Sequence, residues 1–104
     1  MSSRLRRVLD LVEENPDEPL PRYMAGNELL NSGDAEGAVE HLIRYVEMLP
    51  GGDVGAAWRM LGRAYVALGR EDEARSACEA GIRAALAHRH GDLAAAIEHD
   101  LESL

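Results

Sequence analysis

The sequence has one cysteine, Cys78, and no lysine or phenylalanine among its 104 residues. A single cysteine excludes an internal disulfide, which fits a reducing compartment such as the cytoplasm. The first fifteen residues lack the apolar core of a secretory signal, and no run of about 18 apolar residues is present to span a bilayer. We therefore expect a cytoplasmic protein without a membrane segment.

Aromatic residues are also scarce, and acidic residues outnumber basic ones by 19 to 11. The chain has one Trp and three Tyr, so leucine and alanine must supply most of its core, and alanine lets helices approach closely at little entropic cost. The net charge is −8, and all eleven basic residues are arginine. Because an acidic chain repels phosphate, nucleic acid and anionic membranes are excluded as the expected partners.

Apolar residues recur at intervals of three and four, as in Leu5, Val8, Leu9 and Val12. This period is typical of amphipathic helices, and no strand-like alternation competes with it. Breaks rich in glycine, proline, asparagine and aspartate predict six helices near 3–14, 20–31, 35–48, 53–68, 71–89 and 92–103. Asp53 is the predicted N-cap of the fourth. Short turns predict antiparallel neighbours, and so one all-α domain over 1–104.

The chain also matches itself at an offset of 36 residues. The matching pairs are Gly26 and Gly62, Gly33 and Gly69, and Ala38 and Ala74. Helix–turn–helix units that repeat at this distance indicate a solenoid, in which each unit packs on its neighbours.

The second unit carries a specific motif, W-x2-L-G-x2-Y…A, formed by Trp58, Leu61, Gly62, Tyr65 and Ala74. At this spacing the chain resembles the tetratricopeptide repeat family, and as a whole it is similar to short free-standing bacterial members. The resemblance implies an α-α superhelix. It also implies that Gly62 and Ala74 are small because two helices cross there, while Trp58, Leu61 and Tyr65 fill the seam between repeats.

The first unit resembles the family less closely, because Arg22 and Ala25 stand where the family has Trp and Leu. The family period is 34, and the two additional residues are most simply Gly51 and Gly52 in the turn between repeats. Cys78 takes a position that usually holds a large aromatic residue, so we expect it to be buried and inert.

These matches predict four segments. They are an N-terminal helix at 3–14, repeat 1 at 19–52, repeat 2 at 53–88 and a C-terminal capping helix at 92–103. At least three units are normally needed for a stable solenoid, so the outer helices are predicted to cover the ends of the two repeats. For the 3–14 helix, a partner-binding or dimerising role is the alternative.

In the family, the first helix of each repeat lines a concave groove that holds a peptide. The resemblance implies a peptide-binding groove lined by Tyr23, Asn27, Leu30, Arg59, Arg63 and Val66. Arg59 and Arg63 lie four residues apart and have no acidic residue three or four positions away in their helix. We therefore hypothesise that they bind an acidic segment or a carboxylate. The alternative is that they pair with Glu28 or other acids within the fold.

Motifs for chemistry are missing from the sequence. His88 and His90 lie two residues apart at a helix end, a spacing that matches no strong metal-ligand pattern, and their charge suits the helix dipole. We expect no catalytic residue, cofactor or metal. The leading prediction is a non-enzymatic adaptor that binds a protein or peptide. The alternative is a structural module that self-associates, for example as a weak homodimer.

Overall fold

A computed structural model describes residues 2–104, and within that range it contains six α-helices and no strand. The helices are α1 (Ser3–Glu14), α2 (Pro19–Asn31), α3 (Ala35–Glu47), α4 (Ala56–Ala67), α5 (Glu71–Ala87) and α6 (Gly91–Glu102). All six predicted helices are therefore confirmed, and the all-α class with them. The largest difference is at the start of α4, which begins three residues later than the pattern predicted.

The late start of α4 follows from the conformation of Gly55 and the position of Asp53. Gly55 is the N-cap and has φ +127°, a conformation that suits glycine. Asp53 lies before the helix, 4% exposed, and its Oδ2 accepts hydrogen bonds from the N–H groups of Gly55 and Ala57, both at 2.8 Å. The prediction that Asp53 is the N-cap residue is wrong. Its carboxylate nevertheless satisfies a free N–H group in the first turn of α4.

Successive helices pack against each other along the chain. The closest pairs are α2 with α3 and α4 with α5, while α3 contacts α4 and joins the two pairs. The outer helices extend this order, since α1 packs on α2 and α6 packs on α5. The result is two helix pairs with one further helix covering each end.

The same helix–helix contact occurs in both pairs. In the first, a Cβ atom added to Gly26 would lie 2.5 Å from Leu42 Cγ; in the second, one added to Gly62 would lie 3.0 Å from Cys78 Sγ. Leu42 and Cys78 are themselves 36 residues apart. The predicted close crossing at Gly62 is confirmed, and the repeat in sequence is a repeat of one packing contact.

The core consists mainly of leucine and alanine, as the composition predicted. The largest fully buried side chains are Leu42, Leu61 and Ile97. Trp58 and Tyr65 pack against this core but are only partly buried, so Leu61 is the one motif residue of the seam that is fully enclosed. Cys78 is 3% exposed, in agreement with its predicted burial.

Candidate functional site

Arg59 forms the best-defined polar contact on α4. It donates from Nε to Asp100 Oδ2 at 2.7 Å and from Nη2 to Asp100 Oδ1 at 3.4 Å. The hydrogen bond to Asp100 raises the pKa of Arg59, and the same bond lowers the pKa of Asp100 below 3.8. The acid that meets Arg59 therefore lies on α6. Glu28, the alternative partner, pairs instead with Arg4 at 2.6 Å.

Arg63 lies one turn further along α4 and differs from Arg59 in its surroundings. It is exposed, and no ion pair within residues 2–104 includes it. The hydrogen bond from Arg59 lowers the pKa of Asp100 most, and burial opposes it by raising the pKa. The charges of Arg59 and Arg63 lower the pKa further, so Arg63 lies near the ion pair. Two guanidinium groups and one carboxylate side chain therefore lie close together beside α4.

A cleft of about 250 Å³ lies between α4 and α6 at these charges. Its lining residues are Arg59, Gly62, Arg63, Val66, Cys78, Asp100, Ser103 and Leu104. Val66 is 52% exposed, and it continues with Ser103 and Leu104 into an adjoining cleft of about 260 Å³. The structure thus brings three of the predicted groove residues together, in a place where a charged group and an apolar side chain can be bound side by side.

The predicted groove residues of the first repeat lie elsewhere on the surface. Tyr23 is partly buried, with its ring centroid 5.0 Å from that of Tyr45 on α3, and Leu30 packs against the core. Asn27 is partly exposed on α2. None of the three lines the cleft that holds Arg63. Their role in binding stays a prediction.

Sequence reasoning missed the cleft residues contributed by α6 and the two positions after it, namely Asp100, Ser103 and Leu104. Asp100 and Arg59 are 41 positions apart, and a helical period relates only residues of the same helix. The one available signal was the acidic character of the last helix, and it did not single out Asp100 from its neighbours.

The potential metal ligands and the thiol of the described residues are placed as follows. Within residues 2–104 no three His, Cys, Asp or Glu side chains come together as a metal ion requires. His88 Nδ1 lies 2.9 Å from the carbonyl oxygen of Ala84 at the end of α5. Burial raises the pKa of the Cys78 thiol, with a smaller contribution from the charge of Asp100, and so disfavours the thiolate. Across the same range, no helix is both long enough and apolar enough to cross a membrane.

The architecture and the repeated glycine contact define a helical-repeat protein, and comparisons with known proteins identify which kind. A family model described as tetratricopeptide repeat matches residues 23–86. A relative, TPR repeat-containing protein PA0015 of Pseudomonas aeruginosa, is 42% identical over 82 residues, which cover 79% of this chain and 74% of the relative. The chain belongs to the tetratricopeptide repeat family.

The fold is also found among solved structures. The solution structure of protein BPP2914 from Bordetella parapertussis has a TM-score of 0.82 and covers 99% of this chain and 88% of that one, at 22% identity. This likeness shows the fold alone. The family consists of repeat modules that generally bind other proteins and do not catalyse reactions.

Proposed function

We propose that this chain is a non-catalytic adaptor that binds an acidic segment of a partner protein in the cleft between α4 and α6. The observation that carries the proposal is Arg63, an exposed guanidinium with no ion-pair partner in residues 2–104, beside the exposed apolar side chain of Val66. A peptide that offers a carboxylate next to an apolar side chain matches this pair. Family membership supports the general role of binding protein.

Arg59 supports this binding even though it is paired with Asp100. A guanidinium group has five N–H bonds, and the Asp100 carboxylate uses two of those of Arg59. The other three N–H bonds are not used by Asp100, and the Arg59 side chain is 29% exposed, so it can still donate to a ligand. Asp100 therefore acts as an orienting group, and Arg63 supplies the charge that a ligand neutralises.

A peptide-binding measurement tests the proposal. The probes are a labelled synthetic peptide of alternating Leu and Glu and its counterpart of Leu and Gln, followed by fluorescence anisotropy. Loss of one hydrogen bond to a charged group is worth about 1.5–3 kcal/mol, so Arg63→Glu should weaken the Leu/Glu peptide by roughly tenfold or more. Raising the salt concentration should also weaken it, since the contact is exposed.

Arg6→Glu is the matched control, because Arg6 is an exposed arginine on α1 and the change in charge is the same. It should leave the affinity for the Leu/Glu peptide within about twofold, since charges beyond a Debye length of ~10 Å are largely screened at 0.1 M salt. Equal affinities of wild type and Arg63→Glu, or equal affinities of wild type for the Glu and Gln peptides, would overturn the proposed site.

A further inference from the structure

A second cleft, of about 410 Å³, lies between α3 and α5 over a different side of α4. Its residues are Ile43, Trp58, Tyr65, Asp72, Glu73, Ser76, Ala77 and Ala80. Trp58 and Tyr65 are seven positions apart, so they project from one side of α4, about 130° around the helix from the side that carries Arg59 and Arg63. The two clefts are therefore separate surfaces of the same helix.

The floor of this second cleft is apolar and aromatic. Trp58 is the only tryptophan of the chain, and both it and Tyr65 are partly buried, so part of each ring faces the cleft. The base of the Trp58 side chain packs closely on α5, because a Cβ atom added to Gly81 would lie 3.0 Å from Trp58 Cβ. Partly exposed Trp and Tyr held by packing are the residues that most often dominate protein–protein binding.

The α5 wall of the cleft is acidic. Asp72 and Glu73 are its only charged lining residues, both are exposed, and neither takes part in an ion pair within residues 2–104. Burial and then the charge of Glu73 raise the pKa of Tyr65, while the charge of Arg70 lowers it, so one acidic and one basic side chain lie near the aromatic floor.

The α3 wall itself is Ile43, and acidic residues lie beside it on the same helix. Glu40 and Glu47 are exposed and lie within about 60° of Ile43 around the helix axis. Glu36, at the start of the helix, is 3.7 Å from Arg70 and so is partly neutralised. Arg44 is the only arginine of α3, and the acidic residues outnumber it. An apolar floor beside an acidic wall, with further acids nearby on α3, fits a ligand that is apolar on one side and positive beside it.

We propose that the cleft between α3 and α5 is a second docking surface, which binds a basic amphipathic segment of a partner protein. An apolar side chain of that segment packs on Trp58 and Tyr65, and arginine or lysine side chains beside it pair with Asp72 and Glu73. Charge complementarity selects this occupant, because an acidic segment would face the carboxylates of Asp72 and Glu73, which have no ion-pair partner within residues 2–104. The two sides of α4 then bind segments of opposite charge.

Trp58 provides the readout for a test with the full chain. The probe is a synthetic helical peptide of Leu and Arg that lacks Trp and Tyr, so that all tryptophan emission comes from Trp58, and its counterpart has Glu in place of Arg. The Leu/Arg peptide is expected to shift Trp58 emission to shorter wavelength in a saturable manner, because binding removes water from the ring. The Leu/Glu peptide should leave this emission unchanged.

Two variants and one matched control assign the effect to the cleft. Asp72→Arg/Glu73→Arg should weaken the Leu/Arg peptide at least tenfold. The milder Asp72→Asn/Glu73→Gln should weaken it several-fold and protects the test against loss of folding, since acids in the first turn of α5 also favour its dipole. The control reverses another adjacent pair of exposed acids, Glu13–Glu14 on α1, and should change the affinity less than twofold.

Three results would overturn the proposal. One is an unchanged Trp58 emission at saturating Leu/Arg peptide. Another is equal weakening by the α5 and α1 charge reversals, which would mean general attraction to a chain of net charge −8. The third is a Trp58 emission that shifts when the protein concentration is raised without any peptide, provided that the shift disappears in Arg4→Glu/Arg7→Glu. The occupant would then be α1 of a second copy, whose exposed Leu11 lies beside these arginines.

This surface is independent of the cleft at Arg63. Arg63→Glu should therefore leave the response to the Leu/Arg peptide intact, and a loss of both responses in that variant would contradict the separation of the two surfaces.

Discussion

Replacing the two equivalent glycines by alanine should have different consequences, and the difference follows from what each faces. Alanine is better than glycine inside a helix by about 1 kcal/mol. At Gly26, however, a Cβ atom would lie 2.5 Å from Leu42 Cγ and 2.6 Å from Leu42 Cδ2. Carbon atoms in good contact are about 3.5–4.0 Å apart, so the overlap is about 1 Å. Leu42 is fully buried and has no solvent to move into.

Overpacking a core costs about 1–3 kcal/mol. For Gly26→Ala we expect the upper end, because two atoms of a buried side chain overlap, and a net loss of about 2 kcal/mol after the gain in helix propensity. At Gly62 the nearest atom is Cys78 Sγ at 3.0 Å, the end of a small side chain. There the overpacking cost is about 1 kcal/mol, which the gain in helix propensity offsets, so Gly62→Ala should leave the stability nearly unchanged.

Thermal unfolding followed by circular dichroism measures both changes. A loss of 1 kcal/mol lowers Tm by about 4–8 °C in a domain of this size, so Gly26→Ala should lower it by roughly 8 °C or more while Gly62→Ala moves it little. Leu42→Ala by itself should cost about 2–5 kcal/mol. The double variant Gly26→Ala/Leu42→Ala should lose about 1–2 kcal/mol less than the sum of the two single losses, because the smaller side chain at position 42 no longer overlaps the added Cβ atom. Additive costs, or a Gly26→Ala variant as stable as wild type, would refute the packing argument.

Three further predictions concern single side chains. Asp100→Asn should cost up to about 1 kcal/mol of unfolding free energy at neutral pH. Because Arg59 lowers the pKa of Asp100 in the folded state, this contribution is present above pH 3.8 and is lost as the pH falls through the lower, folded value, so the two unfolding curves should converge in acid. If the wild type remained more stable than Asp100→Asn in acid, the ion pair would not be the source of the difference in stability. Asp53→Ala should cost about 1–3 kcal/mol, because two buried N–H groups at the start of α4 lose their acceptor. Asp53→Asn should cost less, since one oxygen accepts both bonds; equal urea midpoints for the two variants would contradict this. Cys78 should react with a thiol reagent slowly in the native state and rapidly in denaturant, because the thiol is buried and its pKa is raised. Rapid native labelling would show that the cleft opens to it.

The helices could be predicted because their signals are local. The apolar period and the breaks at glycine and proline act over a few residues, and the observed bounds agree within a few positions. The exception is the start of α4, where a Cβ atom on Gly55 would meet Leu93, the backbone of Gly81 and Ala85. The N-cap is therefore set by contacts with α5 and α6 as well as by Asp53, and no short window of sequence contains those contacts.

The candidate site was predictable in part. Spacing placed Arg59 and Arg63 on one side of a helix, and the structure agrees that they line one cleft. Spacing could not show which of the two arginines is paired. That depends on which guanidinium group faces Asp100, and Asp100 lies on α6, which packs against α5. Tyr23 also packs on Tyr45 of the neighbouring helix, a contact that the spacing within α2 does not predict.

The sequence alone determined the helical repeat, because periodicity, turn residues and the glycine offset of 36 are properties of neighbouring positions along the chain. Tertiary structure decided which charges are neutralised and which stay available. Asp100 reaches Arg59 across 41 positions, while Arg63, one helical turn away, is left exposed. The physical reason is that a Coulomb interaction depends on the distance between charges in space, and that distance is settled only when α6 packs on α5.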